Sequence, residues 1–195
     1  MAVFIDRDGV INRNRPDHVK SWGEFEFLPG VPEAVSRLTR MGHDVFVISN
    51  QAVVNRGIVS RETVDEINRR MVEEIERWGG RIAAVLICPH RPEEGCSCRK
   101  PMPGLLTEAQ RTHNVDLSEA YLIGDFPSDM EAAQRVGCTP ILVLTGRGED
   151  AFRSLPAQRQ QEYLIAADLQ DAIDLIEPRE RLKNCAVSLE ETAAT

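Results

Sequence analysis

Long apolar runs are missing from this chain. The most extended, Ile82 to Cys88 and Ile141 to Leu144, fall far short of the roughly 20 residues that a membrane-spanning helix needs. The opening stretch Met-Ala-Val-Phe-Ile-Asp lacks a basic segment and a small-residue cleavage site, so no signal peptide is expected. Positive charge is in deficit: 23 Lys and Arg against 31 Asp and Glu leave a formal net charge of -8. That balance disfavours polyanionic partners, so neither nucleic acid nor a membrane surface is expected, although a local cluster of Arg and Lys can still meet a small anion. Cysteine is sparse, with five in 195 residues, and three of them crowd between positions 88 and 98. Such crowding reads as metal ligands in a reducing compartment rather than as a disulfide framework, and it points to the cytoplasm. Internal repeats and low-complexity tracts are absent as well.

What is present is an ordinary globular composition, 42% hydrophobic and 28% charged. The length suits one domain, over residues 1-180, with a sizeable core. Residues 181-195 are polar or small without periodicity and are expected to form a poorly ordered tail. Short apolar runs at Val3–Ile5, Val45–Ile48, Ile82–Cys88, Tyr121–Ile123, Ile141–Leu144 and Tyr163–Ala167 predict strands. Between them lie helical spacings. Val31, Ala34, Val35, Leu38 and Met41 predict a helix stopped by Gly42. Val64, Ile67, Met71, Ile75 and Trp78 predict a second, capped by Ser60 and ended by Gly79-Gly80. Pro103 opens a third, running to about His113, and Ser128-Asp129-Met130-Glu131 fits a capping box for a fourth. A last helix is expected near Leu169 to Ile176. Regular alternation of this kind predicts an α/β fold, a parallel sheet with helices on both faces, whose ligands bind at the carboxyl ends of the strands.

The chemistry-bearing residues sit at those ends. Asp6-Arg7-Asp8-Gly9 follows the first strand, and two carboxylates two residues apart share one side of an extended segment. Their repulsion calls for a cation or a shared proton, unless the motif is simply a polar turn. Gly124-Asp125 follows the fourth strand, with Asp129 four residues on, and carboxylates gathered there make a hard oxygen site suited to Mg²⁺. The alternative reading of Asp129 is a favourable charge at a helix N-terminus, or both roles at once. Ser49-Asn50-Gln51 ends the second strand with groups able to hold phosphate oxygens, and Arg99-Lys100-Pro101 brings two cations to the end of the cysteine loop. Within that loop, Cys88, His90, Cys96 and Cys98 place four soft or borderline ligands in eleven residues. Three thiolates and one imidazole suit a closed, structural Zn²⁺ site. Cys138 and Cys185 stand apart as ordinary small apolar residues.

In this order the pieces resemble the haloacid dehalogenase superfamily of phosphatases, in the branch that holds heptose bisphosphate phosphatases and the histidinol-phosphatase domain. The matching stretches are Val3 to Asn12, Phe27 to Val31, Ile48 to Gln51, Arg56-Gly57, the cysteine loop, Cys98 to Pro101 and Gly124-Asp125, over roughly residues 2 to 148. The resemblance implies a three-layer, Rossmann-like and nearly capless fold. It implies Asp6 as nucleophile, forming an aspartyl-phosphate, and Asp8 as general acid and base. Asp6, the Asp8 carbonyl and Asp125 would hold Mg²⁺. Ser49, Asn50 and Lys100 would hold the phosphoryl group. Arg99, Gln51, Arg56 and the loop of Asn14, Arg15, Pro16 and Asp17 would reach the remainder of a small phosphorylated sugar. Two departures stand out: Ala52-Val53-Val54-Asn55 occupies a segment that usually carries Gly, and Phe126-Pro127 follows Asp125 where Lys or Ser is common. The rival readings are a histidinol-phosphate or other small phosphomonoester phosphatase, a catalytically silent zinc-bearing binding protein, and a nucleic-acid end phosphatase, which the charge of -8 disfavours. A monomer is favoured.

Overall fold

In the computed structural model of the chain, residues 1–179 are described. Six strands, β1 (Ala2–Asp6), β2 (Asp44–Asn50), β3 (Ile82–Cys88), β4 (Tyr121–Gly124), β5 (Thr139–Val143) and β6 (Leu164–Ala166), form one sheet in the order β3-β2-β1-β4-β5-β6. Every pairing is parallel, with Asp6 opposite Ile48 and Ile5 opposite Ile123. Strand order reverses between β1 and β4, which opens a crevice at their carboxyl ends.

The central strands are buried on both sides, so they read as continuous apolar runs. Alternate residues feed two cores. Val3, Ile5, Val45 and Val47 pack with α1 (Val31–Arg40), with Met71 and Ile75 of α2 (Arg61–Arg77), and with α7, a helix over residues 169–179. Phe4, Phe46, Ile48 and Leu122 pack on the opposite face with α3 (Gly104–His113) and α4 (Pro127–Gln134). Two short helices, α5 (Gly148–Ser154) and α6 (Ala157–Gln160), lie between β5 and β6 and were not expected from the apolar spacing. Among the described residues no inserted domain covers the sheet edge.

Two local expectations are corrected. Trp78 does not continue the apolar stripe of α2: that helix ends at Arg77, Trp78 turns away as its C-cap, and its side chain stays exposed. The N-cap of α4 is Phe126 rather than Ser128. Pro127, whose fixed φ suits the first helical position, starts the helix two residues earlier. Asp129 then serves as the third helical residue, and its Oδ2 accepts the Phe126 backbone N–H at 3.1 Å. Ser60 caps α2 as expected, its hydroxyl accepting from the Thr63 N–H at 3.2 Å. Cys138 is buried in the second core, while Cys185 and the tail from 181 lie outside the described residues.

Candidate active site

The crevice between β1 and β4 gathers Asp6, Asp125 and Asp129, with one oxygen from each lying within 4.8 Å of the others. Asp6 ends β1, Asp125 follows β4, and Asp129 is brought in by the first turn of α4. All three are buried. Glycine makes this crowding possible. Gly9 has φ +97, and a Cβ there would lie 2.1 Å from Asp125 Oδ2, while a Cβ on Gly146 would lie 2.2 Å from the same oxygen. The backbone of both loops therefore closes directly on the Asp125 carboxylate.

Charge is balanced from inside. The Lys100 ammonium, also buried, sits 2.8 Å from Asp6 Oδ1 and 2.7 Å from Asp129 Oδ1, and donates to the Ile48 carbonyl at 3.2 Å. Both carboxylate contacts have ion-pair distance without hydrogen-bond alignment, and Asp125 Oδ1 accepts no hydrogen bond at all. Burial, opposed by Lys100 and reinforced by Asp129 and Asp125, pushes the Asp6 carboxyl up to about 7. Burial and then Asp129 push Asp125 up to about 6. Carboxylates raised in this way, one with an orphaned oxygen, fit a hard divalent cation with oxygen ligands such as Mg²⁺.

Asp8 lies in a different environment. Burial would raise its carboxyl, but the Arg7 charge outweighs burial, together with hydrogen bonds from Asn12 at 3.0 Å, Arg7 at 3.0 Å and Gln51 at 2.7 Å, and lowers it. Arg7 is buried and is held from behind by Asn68 of α2 at 3.0 Å. Gln51 also donates to the Ser49 hydroxyl at 2.8 Å, so it orients Asp8 and Ser49 together. Asn50 commits both ends of its amide to Lys100, accepting from its N–H at 3.1 Å and donating to its carbonyl at 3.0 Å.

The cleft above these groups is small, about 60 Å³. Asp6, Asp8, Ser49, Asn50, Lys100 and Asp129 line it. Phe126, Ser128 and Arg147 line it too and had not been singled out as contacts. Arg147 comes from the loop after β5, where Thr145 Oγ1 donates to the Gly9 carbonyl at 2.7 Å and the Arg147 N–H donates to Asp125 Oδ2 at 2.9 Å. The signal for it was positional: Thr-Gly-Arg-Gly follows a parallel strand at the ligand-binding edge. Asn14, Arg15, Pro16, Asp17, Arg56 and Arg99 do not line this cleft. Arg15 pairs with Asp17, while Arg99 donates to the His90 carbonyl at 3.2 Å, on the cysteine loop. Val53, in the segment that departs from the usual Gly, is buried against Val59 and Val64 in a small separate core.

Cys88, His90, Cys96 and Cys98 converge beside β3. Their sulfurs and the His90 Nδ1 are separated by 3.1 to 3.5 Å in five pairs, and all the described cysteines are free thiols. A tetrahedral metal with Zn–S bonds of about 2.3 Å has sulfurs about 3.8 Å apart, so a small expansion separates this cluster from a closed zinc site. Lys100 follows Cys98 by two residues, and the loop thereby anchors the cation of the site.

The two clusters make one metal prediction. Mild EDTA treatment is expected to strip Mg²⁺ and leave about one zinc per chain, because a four-ligand thiolate site has no open position. In the Mg²⁺-free protein, Asp6 and Asp125 titrate higher folded than unfolded. The folded state therefore binds more protons in the window from 3.8 to about 7, and stability falls as pH rises through it. Melting temperature should drop between pH 5 and 7.5, with added Mg²⁺ restoring more at the upper end. A Mg²⁺ increment independent of pH would remove these carboxylates from the metal site.

Among the described residues, no helix is long and apolar enough to cross a membrane. A family profile described as "HAD-hyrolase-like" matches residues 97–172. The chain is 39% identical to the D-glycero-beta-D-manno-heptose-1,7-bisphosphate 7-phosphatase of Pseudomonas aeruginosa over 86% of its own length and 92% of that protein. It is 30% identical to the protein so named from Helicobacter pylori, over 90% and 96% of the two chains. The crystal structure of D,D-heptose 1,7-bisphosphate phosphatase from B. bronchiseptica, complexed with magnesium and phosphate, superposes with a TM-score of 0.85 and 34% identity, covering 91% of this chain and 98% of that one. Shared sequence over nearly the full length of these relatives, on a shared fold, shows that the chain belongs to the heptose bisphosphate phosphatase family of haloacid-dehalogenase-like hydrolases.

Proposed function

We propose that the protein is a Mg²⁺-dependent phosphatase of a small phosphorylated sugar, working through an aspartyl-phosphate on Asp6. Its substrate would be D-glycero-D-manno-heptose 1,7-bisphosphate, cut at the 7-phosphate, as the names of its relatives indicate. The observation that carries the chemistry is Asp6 Oδ1 at 2.8 Å from the Lys100 ammonium, at a strand tip shared with Asp125 and Asp129. An anionic nucleophile facing an anionic phosphoryl group needs cations on both, and this site supplies them.

In the first half-reaction an Asp6 oxygen bonds to phosphorus as the bond to the sugar oxygen breaks, and Asp8 delivers a proton to that oxygen. In the second, Asp8 takes a proton from water, whose oxygen displaces Asp6 and releases phosphate. Arg7, Asn12 and Gln51 keep resting Asp8 ionised, which suits the base half; an arriving phosphate dianion raises its proton affinity for the acid half. The Asp6 and Asp125 carboxylates and the Asp8 carbonyl would hold Mg²⁺, which would supply neutralising charge for the phosphoryl oxygens. Lys100 supplies the second cation. Ser49 contacts the phosphoryl group, Asn50 positions Lys100, and Asp129 fixes the ammonium from the far side. Arg99 braces the zinc loop while keeping further N–H groups for substrate, and Asn14 to Asp17 with Arg56 would meet only the parts of the substrate that extend beyond the cleft. Residues 1-180 act as one catalytic unit, and free thiols at the zinc cluster fit a cytoplasmic setting.

Turnover should be compared on both anomers of heptose 1,7-bisphosphate, histidinol phosphate and fructose 1,6-bisphosphate. One heptose anomer is expected to lead in kcat/KM by about tenfold or more, since a site built for the whole substrate spends distal contacts on the transition state. Histidinol phosphate in the lead would overturn the sugar assignment while leaving the phosphatase chemistry intact.

A further inference from the structure

Two cations line the cleft over Asp6, and they are not equivalent. Lys100 lies buried at its floor, shared among Asp6, Asp129 and the Ile48 carbonyl. It is placed for the phosphoryl group that reacts and for nothing beyond it. Arg147 stands at the rim with its side chain 55% exposed. Its guanidinium carbon lies 4.2 Å from the centroid of the Phe126 ring, and its Nε is 3.9 Å from Asp125 Oδ2, too far for a hydrogen bond. Its backbone, by contrast, is fixed by the 2.9 Å hydrogen bond to Asp125 Oδ2.

Phe126 follows Asp125 directly and is 38% exposed, unusual for a large apolar ring beside a polar cleft. A guanidinium stacked on an aromatic face keeps its plane oriented while its N–H edges stay available to donate. The cleft is small, about 60 Å³, and Phe126 and Arg147 line it together with the aspartates, so a substrate larger than its reacting group extends past this pair. Of the other arginines near the site, Arg7 is buried against Asp8 and Asn68, and Arg99, which donates to the His90 carbonyl, does not line the cleft.

We propose that Arg147, stacked on Phe126, is a specificity-determining residue that binds the second, non-reacting phosphate of a sugar bisphosphate. The assignment rests on the bisphosphate reading above and adds to it the residue that distinguishes a bisphosphate from a monophosphate. A planar fork matches phosphate oxygens in pairs, and in a protein of net charge -8 a lone exposed cation beside three aspartates is a poor general anion trap but a good local one.

The test measures kcat and KM for heptose 1,7-bisphosphate and heptose 7-phosphate, and inhibition by the product heptose 1-phosphate, in wild type, Arg147→Ala, Arg147→Lys and Phe126→Ala. In Arg147→Ala the ratio of kcat/KM, bisphosphate over monophosphate, should fall about 10- to 100-fold, largely through KM. Product inhibition should weaken by a similar factor. Arg147→Lys should recover part of both, and Phe126→Ala should lose part. A ratio within about twofold of wild type, or equal losses on both substrates, overturns the assignment while the bisphosphate reading stands, because the first denies the contact and the second makes Arg147 a support for the Asp125 loop. A wild type with no preference for the bisphosphate over the monophosphate overturns both.

Discussion

Asp6→Asn is expected to lower turnover by about four orders of magnitude or more in a protein that still folds. Asn has nearly the shape of Asp and keeps the strand tip filled, but its amide is too poor a nucleophile to take the phosphoryl group. The variant should not be less stable in the Mg²⁺-free state at neutral pH. Burial and neighbouring carboxylates push Asp6 up to about 7, so its charge is costly to keep there and a neutral side chain removes that cost. Lys100 retains Asp129 as partner at 2.7 Å. Melting curves and single-turnover assays on one preparation separate the two effects. A folded Asp6→Asn protein that keeps more than about 1% of the wild-type rate would exclude attack by this carboxylate.

Lys100→Met should lose both stability and rate. The ammonium is the only cation in contact with Asp6 and Asp129 among the described residues, and its pKa is raised because those two aspartates outweigh the opposing effect of burial. Removing it leaves buried carboxylates uncompensated, which typically costs about 3–5 kcal/mol. The phosphoryl group loses a positioned charge as well, a loss of about 10²–10³ in rate for a contact of this kind. The stability deficit should shrink below pH 6 as Asp6 takes up a proton. Adding Asp129→Asn to Lys100→Met should recover part of the stability and none of the activity. A Lys100→Met protein with wild-type stability at pH 7.5 would mean that water or a bound cation, rather than Lys100, balances these aspartates.

The sequence alone determined the parts of this protein that depend on local pattern. Continuous apolar runs are legible because β1 and β4 are buried on both faces, and Ile82–Cys88 agrees with its strand to the residue. The cysteine loop is legible because its four ligands lie within eleven residues, so chain connectivity alone brings them close. Asp6, Asp8 and Asp125 are legible because strand-end position already says which edge they face. Tertiary structure decided what depends on distance across the sheet. Asp129 needed the turn of α4, started by Pro127, before its two oxygens could serve a backbone cap and Lys100 at once. That Asn50 also holds the Lys100 backbone by both ends of its amide, fifty residues away, is visible only in the fold. Arg147 and Phe126 lie 21 residues apart on different loops, and only the pairing of β4 with β5 stacks one on the other. Hydrophobic periodicity has a range of a few residues; a buried charge or a stacked cation takes its partner from wherever the folded chain passes.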